Sequence, residues 1–143
     1  MTIEELLARD GKLIYKTRGV SMEPMLRQNR DLVVLEIPKA RLKPYDVALY
    51  KRGTSLVLHR VLQVKEDHYL IRGDNTYVME KVPDEAVLGV LTSFQRKGKQ
   101  ISVTDGRYQR YVKLWCAIYP LRRFLVMTVR RMKRIAKWIL RRK

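Results

Sequence analysis

A short serine-containing segment has the clearest chemical potential in this sequence. It spans Gly19–Leu26 and reads GVSMEPML, with Ser21 near its start. A serine close to glycine and bracketed by proline can occupy a tight, exposed turn, where its hydroxyl is free and nearby backbone N–H groups can point at an oxyanion. Two other residues have types that complement a serine. They are His59, at the end of an apolar run, and Asp74, in the tetrapeptide Arg-Gly-Asp-Asn.

Each of the three residues also has a structural interpretation. A single serine is rarely a nucleophile, and a histidine in a strand is more often a packed side chain. Gly-Asp-Asn commonly forms a turn in which the acid bonds backbone amides. Taken together, the three supply a nucleophile, a base that accepts its proton and an acid that fixes the tautomer of the base. The combination therefore predicts a hydrolytic site built from Ser21, His59 and Asp74.

Short β-strands between turns are predicted for most of the chain up to residue 103. Gly, Pro, Asn and Asp punctuate segments that are rich in β-branched and aromatic residues. The clearest strands are 32–37, 47–50, 56–62, 68–71, 87–91 and 101–103. A short helix is predicted for residues 2–9, ending near Gly11. The pattern favours a mainly β domain, antiparallel or mixed, whose strand ends and turns hold the three candidate residues.

Positive charge is concentrated at one end of the 143-residue chain. The net charge is +17, yet residues 107–143 contain 13 Lys or Arg and no acid, while residues 1–106 carry only +4. This shift predicts a near-neutral domain, 1–105, followed by a basic segment, 106–143. The single cysteine, Cys116, excludes an internal disulfide. Two histidines without close partners predict no metal site, and we expect no cofactor.

The basic segment has the period of an amphipathic helix. After Pro120, apolar residues from Leu121 to Ile139 fall on one helical face, and Lys and Arg fall on the opposite face. This pattern is typical of a helix lying on an anionic membrane surface, through residues 121–143. The alternative is a helix that packs its apolar stripe on the β-domain. We expect no nucleic-acid partner, because the aromatic residues do not form a stacking platform.

Four segments of this sequence, in order and spacing, resemble the sequence boxes of type I signal peptidases. Gly19–Leu26 looks like the Ser-Met-x-Pro nucleophile box, and Pro44–Tyr50 is similar to the Gly-Asp-Val-Val segment. Leu58–Val61 matches the box that holds the general base, and Arg72–Asn75 matches the Gly-Asp-Asn box. The same boxes mark the wider superfamily that includes the self-cleaving LexA-type repressors. The resemblance covers about residues 12 to 95.

The resemblance implies a small β-domain with serine peptidase activity. Ser21 would be the nucleophile, its own N–H would form part of the oxyanion hole, and His59 would be the base, as in the Ser-His branch of the family. The supporting acid would be Asp74 or Glu80, which lies six positions later. An unperturbed histidine titrates at about pH 6.5, so this base would be largely competent at neutral pH. The substrate would be a signal, leader or precursor peptide that binds as an added strand, with small side chains before the scissile bond.

Two features depart from the family pattern. Members usually carry an N-terminal membrane anchor. Here residues 1–10 contain four charges, and this pattern is typical of neither an anchor nor a signal peptide. Gly19 stands where some members have a hydroxyl residue that completes the oxyanion hole. We expect a chain retained on the cytoplasmic side, peripheral on the inner membrane face, that trims one dedicated precursor. Two other functions stay open: a non-catalytic peptide- or membrane-binding module, and a self-cleaving regulator.

Overall fold

The structure is a computed structural model that describes residues 1–142. Three α-helices and eight β-strands form within this range. In chain order they are α1 (Ile3–Asp10), β1 (Lys12–Lys16), β2 (Leu32–Glu36), β3 (Val47–Arg52), β4 (Ser55–Val64), β5 (His68–Arg72), β6 (Glu80–Pro83), β7 (Val87–Arg96), β8 (Lys99–Ser102), α2 (Gly106–Ala117) and α3 (Tyr119–Arg141). The mainly β prediction is confirmed.

All eight strands belong to one antiparallel sheet. Seven of them follow the order β1-β2-β7-β3-β4-β5-β6, and β8 pairs with β7. β1 and β6 therefore lie at the two ends of this order. The long strands β4 and β7 both pair with β3, so the centre of the sheet combines a hairpin, β3–β4, with a pairing of strands distant in sequence, β3–β7.

Local sequence signals explain the first helix. Thr2 caps α1 with a capping box, in which its side chain accepts from the Glu5 N–H and the Glu5 carboxylate accepts from the Thr2 N–H. Gly11 ends the helix in the left-handed conformation (φ 69°), and its N–H donates to the Leu7 carbonyl at 2.8 Å. The helix predicted for residues 2–9 is therefore confirmed, and it buries Leu7.

The hairpin of β3 and β4 sets the position of His59. A two-residue turn, Gly53-Thr54, joins the strands, and Gly53 has the positive φ (58°) that such a turn requires. The register pairs Arg52 with Ser55 and Ala48 with His59. Since side chains alternate between faces, Tyr50 lies on the same face as His59, diagonally across the two strands.

A buried apolar cluster holds these strands in place. Its members come from β3, β4, β5, β6 and the segment before β3. They are Leu42, Ala48, Tyr50, Val61, Tyr69, Ile71 and Val82. Burying each large member is worth about 1.5–3 kcal/mol, so the register that fixes Tyr50 beside His59 is strongly specified.

Several elements differ from the sequence-based expectation. The strands β1 and β6 are not among the predicted ones, since Lys-Leu-Ile-Tyr-Lys begins and ends with lysine and Glu-Lys-Val-Pro ends in proline. In the C-terminal segment, the helix predicted after Pro120 is confirmed as α3, whereas α2, which precedes it, was not predicted. The chain divides into two compact units, Met1–Gln109 and Arg110–Lys143. Over residues 1–142, no helix is long and apolar enough to cross a bilayer.

Candidate active site

Ser21 lies at the beginning of a compact turn that follows β1. The Glu23 N–H donates to the Val20 carbonyl at 3.1 Å, and the Leu26 N–H donates to the Met22 carbonyl at 3.0 Å. Met22 and Leu26 are buried, whereas Ser21 is half-buried. The turn is therefore anchored by its apolar side chains, and the serine is presented at its surface.

The segment Gly73–Asn75 packs directly on this turn. The Asn75 N–H donates to the Ser21 carbonyl at 2.8 Å, and the Asn75 side chain donates to the Val20 carbonyl at 3.1 Å. A Cβ atom added to Gly73 would lie 2.6 Å from the Ser21 carbonyl oxygen and 3.0 Å from His59 Nε2. The first distance is shorter than real Cβ contacts and involves a backbone atom, and the second is tighter than most of them, so a side chain at this position would displace the serine turn. Gly73 therefore packs closely against both the serine turn and the histidine ring.

His59 is nearly buried, and its two ring nitrogens have different surroundings. Its residue exposure is 6%. Nε2 lies toward Gly73 and the Ser21 turn. Nδ1 lies 3.2 Å from the Tyr50 hydroxyl, on the opposite side of the ring. The ring thus has one nitrogen toward the serine and the other hydrogen-bonded to the interior.

Tyr50 connects His59 to an acid. Its hydroxyl donates to Glu80 Oε2, and Glu80 Oε1 is ion-paired with Arg52. A tyrosine has a single hydroxyl proton. Because that proton goes to the carboxylate, the phenol oxygen must accept from His59, which assigns the ring proton to Nδ1. Nε2 then has a free lone pair, as a general base facing a serine requires.

The electrostatics of this network favour a neutral histidine base. Burial lowers the pKa of His59 below its ordinary value of 6.5, and Arg52 lowers it further, while the Glu80 and Asp74 carboxylates oppose both. Burial, together with the Glu80 carboxylate, raises the pKa of the Tyr50 phenol. At neutral pH, Tyr50 therefore keeps its proton and His59 is unprotonated at Nε2.

Asp74 forms a different pair. Its two carboxylate oxygens accept from the Arg60 guanidinium at 2.7 and 2.8 Å, and both side chains are almost completely buried. Arg60 also donates to the Tyr45 carbonyl and to the Tyr108 hydroxyl. Since Arg60 follows His59 and Asp74 follows Gly73, this buried pair ties the strand that carries the histidine to the segment that contains the glycine.

A cleft of about 900 Å³ lies beside the serine turn and the histidine. Ser21, His59 and Glu80 all contribute to its wall, as does β1 through Tyr15 and Lys16. Among residues 1–142, the Ser21 N–H donates to no protein acceptor, so it is available to an oxyanion. Within the same range, no hydrogen bond joins the Ser21 hydroxyl to His59. Such bonds are often long in a free enzyme and tighten when substrate binds.

The structure thus brings Ser21 and His59 to one cleft, and of the two alternative acids it links Glu80 to the histidine through Tyr50. Asp74 is paired with Arg60 instead. Sequence analysis missed Tyr50 and its role. The one signal that could have found it is the Gly53-Thr54 turn, from which the register of the hairpin follows. In the described part of the chain, no three His, Cys, Asp or Glu side chains are grouped to hold a metal ion.

No protein-family model and no curated protein sequence matches this chain.

Proposed function

We propose that this protein is a serine endopeptidase that uses Ser21 as nucleophile and His59 as general base. The observation that carries the proposal is that the two ring nitrogens of His59 have different surroundings. Its Nε2 faces the serine turn across Gly73, while its Nδ1 is committed to Tyr50 and Glu80. The resemblance of four sequence boxes to type I signal peptidases supports the same assignment.

The chemistry follows from these positions. His59 Nε2 takes the Ser21 hydroxyl proton as the serine oxygen attacks the peptide carbonyl carbon, and the Ser21 N–H donates to the oxyanion. The imidazolium formed on His59 donates through Nδ1 to Tyr50, whose bond to Glu80 disperses the charge. Nε2 then gives its proton to the departing amine, and a peptide C–N bond breaks. Water, deprotonated by the same nitrogen, hydrolyses the acyl-serine and regenerates the free hydroxyl.

An extended peptide is the substrate that suits this cleft. β1 is an end strand of the sheet, and its residues Tyr15 and Lys16 form part of the cleft wall. A peptide that pairs with such a strand gains main-chain hydrogen bonds, and its alternate side chains enter the cleft. By resemblance, the residues before the scissile bond are small and the substrate is a signal, leader or precursor peptide.

A peptide-library digest tests the proposal. The intact protein is incubated with a mixture of extended peptides, and new termini are identified by mass spectrometry. We expect cleavage at a reproducible site, which Ser21→Ala and His59→Gln each reduce by at least about a thousandfold. Ser102→Ala is the matched control, because Ser102 lies in β8 and outside the cleft.

Other results of the digest would favour the alternative functions or a different nucleophile. Cleavage that survives in Ser21→Ala would overturn the assignment of the nucleophile. Peptide binding without cleavage, unchanged in Ser21→Ala, would favour a non-catalytic module. A loss of mass when the protein is incubated alone, absent in Ser21→Ala, would favour a self-cleaving regulator.

A further inference from the structure

The surface of α3 divides into two faces of opposite character. One arc of the helix is apolar, and its large side chains are each about half exposed or more. They are Leu121, Phe124, Leu125, Val129, Met132, Ile135 and Ile139. Among the residues described, none in α3 is buried. A contiguous exposed apolar surface of this length is unusual in a globular protein and marks an interaction site.

The opposite arc of α3 is basic. The helix contains eight Lys or Arg and no acid. At 3.6 residues per turn, Arg123, Arg134, Lys137 and Arg141 fall opposite the apolar arc. Trp138 falls between the two arcs, and the Arg142 guanidinium stacks on its ring at 3.9 Å. An indole at such a border is suited to the boundary between lipid chains and headgroups.

We propose that α3 binds the surface of a membrane containing anionic lipids, lying in the plane of the interface with its apolar arc inserted. The helix is about 35 Å long and too polar to span the bilayer. Its apolar arc matches the acyl boundary, and its basic arc matches anionic headgroups. This proposal does not depend on the peptidase activity.

The same surface is less suited to other partners. Nucleic acid would engage the basic arc and leave the apolar arc, including Phe124, in water. A second copy of the helix would cover the apolar arc, but it would bring together two helices with eight basic residues each and no acid to pair with them. An anionic lipid surface satisfies both arcs at once.

Vesicle binding by the full chain tests the proposal. Sedimentation is measured with phosphatidylcholine vesicles and with vesicles that also contain 30% phosphatidylserine, at low and high salt. We expect strong binding only to the anionic vesicles, and weaker binding at high salt. Each Lys or Arg near the surface contributes about fivefold, so Arg134→Gln with Lys137→Gln should reduce partitioning by about 25-fold. In a Trp115→Phe background, the emission of Trp138 should shift to the blue on binding.

A pair of matched variants tests the insertion of the apolar arc. Phe124→Ser with Ile135→Ser removes two inserted side chains and should weaken binding by about tenfold per residue. Val126→Ser with Met127→Ser is the control, because these apolar residues lie on the basic side of α3 outside the arc, and it should bind as the parent chain does. Circular dichroism of every variant verifies that the helix is retained.

Three results would overturn the proposal. The first is equal binding to neutral and anionic vesicles. The second is an equal effect of the two serine pairs. The third is a chain that does not bind vesicles but does bind another partner. That partner could be duplex DNA or RNA, or a second copy of the chain through α3, detected by light scattering.

Discussion

Replacing Tyr50 with phenylalanine removes one oxygen atom at the centre of the proposed site. Tyr50 is 1% exposed, and phenylalanine keeps its ring in the apolar cluster. What is lost is the bond to His59 Nδ1 at 3.2 Å and the bond to Glu80. Glu80 keeps its ion pair with Arg52, so the histidine is the group left with an unsatisfied N–H.

The magnitude of the effect follows from the charge that His59 acquires. In the ground state, the bond from neutral Nδ1 to the phenol oxygen is worth about 0.5–1.5 kcal/mol; once the ring is an imidazolium it is worth about 1.5–3 kcal/mol. Only the difference, about 1–1.5 kcal/mol, affects the chemical step. We therefore expect Tyr50→Phe to lower kcat by about 5- to 13-fold, with little change in KM.

Nitrogen-15 NMR of the histidine ring measures the same arrangement without a substrate. The chain has two histidines, so His68, which bonds Asp67 outside the cleft, is an internal control. In the wild type above pH 7, we expect His59 to carry its proton on Nδ1. In Tyr50→Phe, the population with the proton on Nε2 should rise, while the His68 signals stay unchanged.

The reasoning is wrong if neutral His59 carries its proton on Nε2 in the wild type. In that case the lone pair would face Tyr50 and the ring could not accept a proton from Ser21. A Tyr50→Phe variant with unchanged kcat and unchanged tautomer populations would equally remove Tyr50 from the mechanism.

Further predictions concern the acids and the close approach of the glycine. Glu80→Gln removes a negative charge that raises the pKa of His59, so that pKa should fall further. The acidic limb of the pH profile of kcat/KM should then move to lower pH. An unchanged limb would exclude an electrostatic effect of Glu80 on His59. Gly73→Ala should lower kcat/KM at least about tenfold, since its Cβ would displace the serine turn, whereas Gly106→Ala, with open space around it, should match the parent. Asp74→Asn should lower the free energy of unfolding in urea by about 3–5 kcal/mol, because Arg60 would remain charged and buried; a loss below 1 kcal/mol would contradict that account.

Local patterns were sufficient to predict much of the fold. The helix at residues 2–9 and six of the strands follow from capping residues, turn residues and β-branched runs, which act within a few positions of the chain. Ser21 and His59 were also predicted, from residue types and from a resemblance, and the structure brings both to one cleft. The strands that were missed, β1 and β6, owe their conformation to pairing with β2 and β5 rather than to their own composition.

Tyr50 could not be recognised in the same way. Nothing in Val-Ala-Leu-Tyr distinguishes a tyrosine that bonds a histidine from one that only packs. Its role arises from the register of β3 and β4, which places it diagonally from His59, and from Glu80 reaching across from β6. The hairpin register follows from the local Gly53-Thr54 turn, but the sequence pattern alone does not fix the pairing of β6 with β5, which brings Glu80 to Tyr50.

The two acids near His59 divide their tasks according to burial. Asp74 is almost completely enclosed, so its charge must be paired at close range, and the bidentate bond to Arg60 does this. If Asp74 turned to stabilise a protonated His59, it would lose its bonds to Arg60. Glu80 is only partly buried and pairs with the exposed Arg52, and its carboxylate also accepts from the Tyr50 hydroxyl, so in the proposed mechanism its charge would stabilise the imidazolium through Tyr50. In the proposed mechanism, the Gly-Asp-Asn segment therefore has a positioning role, since it packs on the serine turn, while Glu80 of β6 supports the imidazolium through Tyr50.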